Sequence, residues 1–269
     1  MEIIYPAANI KCTTNKFTLT INSNRKESIA LENNDNAEYN LFSDESGQEN
    51  RIGSAAILYK KGRSSQVKSL KAYLGTSDEQ NTYKAKIIGA ITALWLLQTT
   101  LDTISKKVSL YTDNQSIIDA LSTPKLTSGQ YLINTLIIAA NTAKCKLGIR
   151  WILGHSKAKG NEAADKLTKE AATGHSSSRV NLPHILQMTL PSSASASKQK
   201  YISLLKTKWE QIWDASPQRH RIALFGGEFP FSSFCKQLNE LSKKTSQPNI
   251  ANKMHTFSTK HSNKQDQQI

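Results

Sequence analysis

Between Tyr39 and Ala172 the apolar residues change period several times, from every second position to every third or fourth and back, over lengths that suit strands and helices. Tyr39–Ser43, Gly53–Tyr59 and Val67–Leu74 are short β-rich runs, and Lys60, Lys61 and Gly62 supply a turn between the second and third. Three strands joined this tightly imply an antiparallel meander. Thr82 then offers an N-cap to a helix with a broad apolar face of Ile87, Ile88, Ile91, Leu94, Trp95 and Leu97. A strand is expected at Val108–Thr112, helices at Asn114–Leu121 and Gln130–Ala143, a strand at Ile149–Leu153 and a last helix at Asn161–Ala172. The order βββαβααβα implies an α/β fold: a mixed five-stranded sheet, three strands as a meander and two reached through crossovers, with helices on its faces.

The flanks have a different texture. Residues 1–38 are rich in Asn, Ser, Thr and charge, hold one plausible strand at Lys16–Ile21, and are expected to be a poorly ordered linker or a remnant of upstream sequence. Residues 175–269 form a basic extension with a Trp-bearing helix around Tyr201–Trp213 that passes into Ser, Asn, Lys and Gln-rich sequence, expected to be partly disordered. Across the chain 35 Lys and Arg oppose 21 Asp and Glu, a net charge of +14. A field of that sign favours polyanions, nucleic acid before anionic membrane. Cys12, Cys145 and Cys235 lie too far apart for a CxxC-type metal pair and are too few for a disulfide framework, which suits a reduced compartment without structural zinc. No signal peptide and no run of about 18 apolar residues is visible, so a soluble, intracellular protein is expected, with no membrane partner and a monomeric state.

Three carboxylates fall at suggestive places. Asp44 closes the first strand in Leu-Phe-Ser-Asp-Glu-Ser-Gly, Asp113 closes the fourth in Leu-Tyr-Thr-Asp-Asn-Gln, and Asp165 lies one turn into the last helix. Ligand sites of open α/β sheets gather at the carboxyl ends of adjacent strands, so Asp44 and Asp113 are expected to face each other there. Such a pair repels itself unless a cation sits between its members.

These segments, with Trp151-Ile-Leu-Gly-His-Ser-Lys-Ala-Lys-Gly-Asn-Glu-Ala-Ala-Asp165, resemble the three Asp-bearing motifs of type 1 ribonuclease H. The nearest flavour is the ribonuclease H region at the C-terminal end of fungal non-LTR retrotransposon polyproteins, in which motifs like Gly129-Gln-Tyr-Leu-Ile133 and a basic tail like Lys206-Thr-Lys-Trp209 also occur. The resemblance implies endonucleolytic hydrolysis of the RNA strand of RNA–DNA hybrids by two Mg²⁺ ions about 4 Å apart, with Mn²⁺ as a substitute. It implies that Asp44 bridges both ions, that Asp113 holds the nucleophile-side ion and Asp165 the leaving-group side. His155 corresponds to a mobile histidine that assists proton transfer or product release, and Gln115 to a residue that reads the hybrid's minor groove.

Two positions depart from the pattern. The family's Glu in a Tyr-x-Ala-Glu context is Lys86 here, in Tyr83-Lys-Ala-Lys86, and the Gly that usually follows the first Asp is Glu45. An ammonium in a metal-ligand position disfavours each divalent ion by several kcal/mol, with about 4 kcal/mol between unit charges 4 Å apart at an effective dielectric of 20. It could instead pair with Asp44 and Asp113 and stand in for the missing ion. Two functions follow as alternatives: a working hybrid ribonuclease, or a catalytically impaired relic that keeps nucleic-acid binding and has a compromised two-ion site. Lys84, Lys86 and Lys166 stand where related retrotransposon sequences often carry Glu, so part of the +14 charge could come from decay of a transposon copy.

Overall fold

A computed structural model describes residues 15–21, 34–63, 65–100, 106–123, 125–154, 159–216 and 219. The chain divides into two units, Met1–Tyr201 and Ile202–Ile269. In chain order the elements are strands β1 (Thr18–Thr20), β2 (Tyr39–Gln48), β3 (Arg51–Lys60) and β4 (Gln66–Thr76), helix α1 (Thr82–Thr100), strand β5 (Lys107–Thr112), helices α2 (Gln115–Ser122) and α3 (Gln130–Thr142), strand β6 (Lys146–Trp151), and helices α4 (Lys159–Ala172), α5 (His184–Gln187) and α6 (Ala194–Asp214). In the second unit the described residues are 202–216 and Arg219; Lys206 pairs with Glu210 one helical turn on, and Arg219 reaches Asp214.

The sheet runs β1-β6-β5-β2-β3-β4. The β2–β3–β4 meander is antiparallel, and β5, β6 and β1 are parallel additions. The expected mixed α/β sheet is present, but with six strands rather than five. Thr18–Thr20 pairs in parallel with Gly148–Arg150, and Phe17 is buried beside it. The strand expected at Lys16–Ile21 is thus present, and it joins the sheet as the sixth strand. The β2–β3 hairpin is longer than its apolar run suggested. Glu49 and Asn50 both take positive φ, the conformation a two-residue hairpin loop requires, so pairing continues through Gln48. Asp44 therefore lies within β2 rather than at its end.

Two apolar layers flank the sheet. On one face α1 is buried nearly all round, with Ile87, Ile88, Leu94 and Leu97 fully enclosed between the strands and α3. Each such side chain contributes roughly 1.5–3 kcal/mol. On the other face α4 covers the meander through Phe42, Ile57, Tyr111, Ile152 and Ala164. Small residues set how closely these helices approach. A Cβ at Gly53 would come within 2.4 Å of the Ala172 amide nitrogen and 2.5 Å of the Thr168 carbonyl, and one at Gly160 would meet the Phe42 ring at 2.3 Å.

The chain beyond α4 returns to this core. Ser176 and Ser177 hydrogen-bond the backbone of Tyr73 and Lys71 and so cover the β4 edge. Trp95 donates its indole N–H to the Asn181 carbonyl. Residues 191–196 then strap the start of α1. The Pro191 carbonyl accepts from Lys84 Nζ at 3.0 Å and Gln80 Nε2 at 3.3 Å, and Asn81 donates to the hydroxyls of Ser193 and Ser195. Lys84 is fully buried, with its ammonium 5.2 Å from the Tyr131 ring.

The tight seat of α4 gives a direct test. Gly53→Ala is expected to lower stability by about 2–3 kcal/mol, because backbone rather than a flexible side chain blocks the added methyl. Urea denaturation of the full chain measures this, and a midpoint matching the parent would show that α4 does not rest on β3 at this distance.

Candidate active site

Pairing places two of the three expected carboxylates side by side. Phe42 of β2 is in register with Tyr111 of β5, and the parallel pairing ends there. Asp44 and Asp113 each lie two residues further on, at one level beyond the last paired residues. Alternation along β2 then separates neighbouring side chains. Phe42 faces α4, where Gly160 meets it, whereas Ser43 lies against Gly89 of α1. Glu45, two residues after Ser43, shares the α1 side.

Helix α1 brings the remaining charge. Its first half sits close to β2 and β3 because Ala85 and Gly89 are small. Ser54 Oγ donates to the Ala85 carbonyl at 3.0 Å, and a Cβ at Gly89 would lie 2.9 Å from that hydroxyl. Lys86, between them, reaches the strand ends. Its Nζ is 2.5 Å from Asp113 Oδ1, 3.0 Å from Glu45 Oε2 and 3.9 Å from Asp44 Oδ1. Around it, carboxylate oxygens of Asp44, Glu45 and Asp113 gather within 4.8 Å of one another. Asp113 is held from behind: Trp151 Nε1 donates to its carbonyl at 3.0 Å, and the chain passes at Gly154, where a Cβ would lie 3.1 Å from Oδ2.

Of the other expected site residues, Asp165 and Gln115 are described and neither belongs to this group. Asp165 lies outside the 4.8 Å group, two turns into α4, and its Oδ2 takes Lys169 Nζ at 2.7 Å. Gln115 opens α2 as an exposed residue two positions beyond Asp113. His155 lies outside the described residues. Glu45, conversely, entered the sequence reading only as a departure from a glycine. Its place on the α1 side follows from strand alternation, a signal the sequence carried. The supporting roles of Trp151 and Gly154 depend on where the chain after β6 passes, and no local pattern reports that.

Electrostatics at this cluster are dominated by burial. Loss of water pushes the Glu45 carboxyl up to about 8, with Asp44 and Asp113 adding to the rise and Lys86 opposing it. Asp44 is also raised, by burial and by the Asp113 charge, against the Glu45 amide and Lys86. Burial draws the Lys86 ammonium down, but Glu45 and Asp113 outweigh it and hold the group above its ordinary value. The cluster thus holds its cation firmly and keeps a proton on one carboxyl at neutral pH.

Three carboxylates match the hard oxygen ligands a divalent cation takes. With Lys86 in contact with all three, however, the positive charge they require is already present, and the fourth acid of a two-ion centre is absent. As they stand, these residues do not fit a pair of divalent ions.

Stability carries a signature of this charge state. The folded chain holds a proton on Glu45 that the unfolded chain, at the ordinary value of 4.5, releases. Stability from this group therefore falls as pH rises from about 4.5 to about 8. In chelator-containing buffer, the melting temperature of the parent relative to Glu45→Gln is expected to decline across that interval. Parallel melting curves from pH 5 to 8.5 would remove the assignment.

The sequence model of the family described as RNase H matches residues 36–173, just over half of the chain. No curated protein matches. Similar solved structures include the N-terminal RNase H domain of Rv2228c from Mycobacterium tuberculosis, determined as a fusion with maltose-binding protein. It is 15% identical, with 51% of this chain and 94% of that chain covered and a TM-score of 0.41. RNase H1 from the halophilic archaeon Halobacterium salinarum is 17% identical over 51% of this chain and 98% of its own, with a TM-score of 0.38. LC11-RNase H1, isolated from compost by a metagenomic approach and solved in complex with RNA/DNA hybrid, is 17% identical over 50% of this chain and 96% of its own, with a TM-score of 0.40. On the match across residues 36–173, the chain belongs to the RNase H family.

Proposed function

We propose that this protein engages RNA–DNA hybrids at the carboxylate cluster where the pairing of β2 with β5 ends and is held back from cutting the RNA strand by Lys86. One observation carries the reading: the ammonium lies 2.5, 3.0 and 3.9 Å from three carboxylates where the family reaction needs divalent metal. A pair of unit charges 4 Å apart at an effective dielectric of 20 interacts by about 4 kcal/mol, and one unit of pKa or one decade of binding corresponds to about 1.4 kcal/mol. Withdrawing Lys86 to admit a metal ion therefore costs decades of metal affinity. Engagement of the hybrid draws on the net charge of +14 and does not need the metal. Asp44, Asp113 and Asp165 remain the residues through which the family's Mg²⁺ or Mn²⁺ would act, with His155 and Gln115 as the proton-transfer and groove-reading residues. The Trp-bearing basic helix and the Gly129–Ile133 segment support derivation from the C-terminal ribonuclease H region of a retrotransposon polyprotein.

A second reading, a working hybrid endonuclease, draws on the gathering of three carboxylates within 4.8 Å, which would receive a cation once Lys86 swung away. Cleavage of a labelled RNA–DNA hybrid in Mg²⁺ and in Mn²⁺ separates the two. Reversal of Lys86 alone would set a new carboxylate against Glu45, so the informative variant is Lys86→Glu combined with Glu45→Gly. The double variant is expected to cut at least on the order of 100-fold faster than the parent, and the parent to bind hybrid with an affinity that falls steeply with salt. Robust, metal-dependent cleavage by the parent would overturn the proposal in favour of the working enzyme.

A further inference from the structure

Helix α4 packs on β2, β3 and β4. The apolar layer under α4 reaches Tyr111 of β5 and Ile152 after β6, whereas Lys107 and Ser109 of β5, Lys146 and Arg150 of β6 and Thr18 of β1 line a more polar stretch. Pairing sets Thr18, Gly148 and Ser109 in one row across the three strands, and Thr20, Arg150 and Tyr111 in the next. Thr18, Ser109, Gly148 and Arg150, with Asn34–Ala37, bound a cleft of about 580 Å³. It opens at the amino ends of β5 and β6. Six residues of β5 and its continuation, about 20 Å at 3.3 Å per residue, separate Lys107 at this end from Asp113.

The cleft is lined by four cations, Lys16, Lys107, Lys146 and Arg150, and one acid, Asp35. Asp35 is already committed. Tyr111 donates its hydroxyl to Oδ2 at 2.6 Å, the Ala37 amide donates to Oδ1 at 3.1 Å, and Arg150 Nη2 lies 3.4 Å from Oδ1. Burial pushes this carboxyl up, but hydrogen bonds from Ser109 and Tyr111 and the Arg150 charge outweigh it and hold the group below its ordinary value. The Arg150 guanidinium is fixed in turn, since Nε donates to Ser109 Oγ at 3.1 Å. It folds back over Gly148, where a Cβ would lie 3.5 Å from Nε. The result is a guanidinium fixed by Asp35 and Ser109 on a glycine floor, in a cleft that three lysines also line.

We infer that this cleft is a second anion site that binds phosphoryl groups, separate from the carboxylate cluster. A fixed guanidinium offers directional donors to phosphate oxygens, and the lysines add point charge. The lining has no aromatic ring on which a base could stack, so recognition rests on the phosphates.

Titration of the full-length ¹⁵N-labelled chain with inorganic pyrophosphate, and separately with a short single-stranded oligodeoxynucleotide, tests this. Amide shifts are expected at Ser109, Gly148 and Arg150. Lys107→Glu with Lys146→Glu, both exposed side chains, is expected to weaken binding about tenfold or more. The charge-matched control Lys68→Glu with Lys198→Glu should leave affinity within about twofold. Shifts with both ligands, or with either alone, support the site and tell free phosphate from a phosphodiester backbone as its source. No shift in the cleft with either ligand, or equal weakening by the control pair, would overturn it. A failure of the hybrid-cleavage experiment leaves these outcomes unaffected, because neither readout involves Lys86.

Discussion

Three carboxyl groups cannot all ionise in a largely buried space beside the end of the β2–β5 pairing without a cation among them. At 4 Å and an effective dielectric of 20, each pair of like charges costs about 4 kcal/mol, more than most single interactions in a domain of this size return. In this chain the cation is part of the sequence. Lys86 satisfies Asp113 and Glu45 directly and Asp44 at longer range, and burial sharpens the pairing by keeping water from screening it. Everything that positions the cluster also positions its neutraliser: the register of β2 with β5, the alternation that turns Glu45 toward α1, and the small residues that let α1 lie close.

That dependence explains what could be read beforehand and what could not. The meander, the crossovers and the nearness of Asp44 to Asp113 are written in hydrophobic period and turn residues, which act over a few positions. The pairing of Lys86 with Asp113 was legible too, because a helix residue in a ligand position has little choice of partner once the strand ends are fixed. Glu45 was undervalued because its role depends on which face of a strand meets α1, a matter settled by helix packing. Asp165 was placed in the site by resemblance alone. In the fold it has a local partner in Lys169, four residues on, which competes for its carboxylate without help from tertiary structure. The strand at Lys16–Ile21 is legible as a strand and is present as β1, but its place at the sheet edge is not, because its partner β6 lies far along the chain.

The two lysines near the start of α1 illustrate how position sets the fate of a charge. Lys84 and Lys86 are two residues apart and so lie on different sides of the helix. Lys84 is fully enclosed, donates to the Pro191 carbonyl and lies against the Tyr131 ring. Lys86 meets formal charges instead. The accommodation of Lys84 depends on the strap at residues 191–196, which also engages Gln80 and Asn81. A lysine that arose by random change would seldom find a carbonyl and a ring already arranged around it. The strap thus weighs against treating every lysine at such positions as decay, even where Lys86 disfavours the family chemistry.

The net charge of +14 acquires structure in the same way. Lys71, Lys86 and Lys169 are bound to acids within the fold, and Lys84 is withdrawn from solvent, so none of them contributes fully to a field felt by a distant polyanion. The lysines at the amino ends of β5 and β6 differ, because the acid among them is already neutralised by Arg150 and hydrogen-bonded by hydroxyls. The sheet therefore carries opposite arrangements at its two ends: acids organised around a resident cation at the carboxyl ends, and cations left in excess around a satisfied acid at the amino ends. A polyanion approaching the protein is attracted by the second arrangement and meets a compensated cluster at the first. The excess cations and the compensated acids are in this way separated on one sheet, so a change in one charge set leaves the other in place.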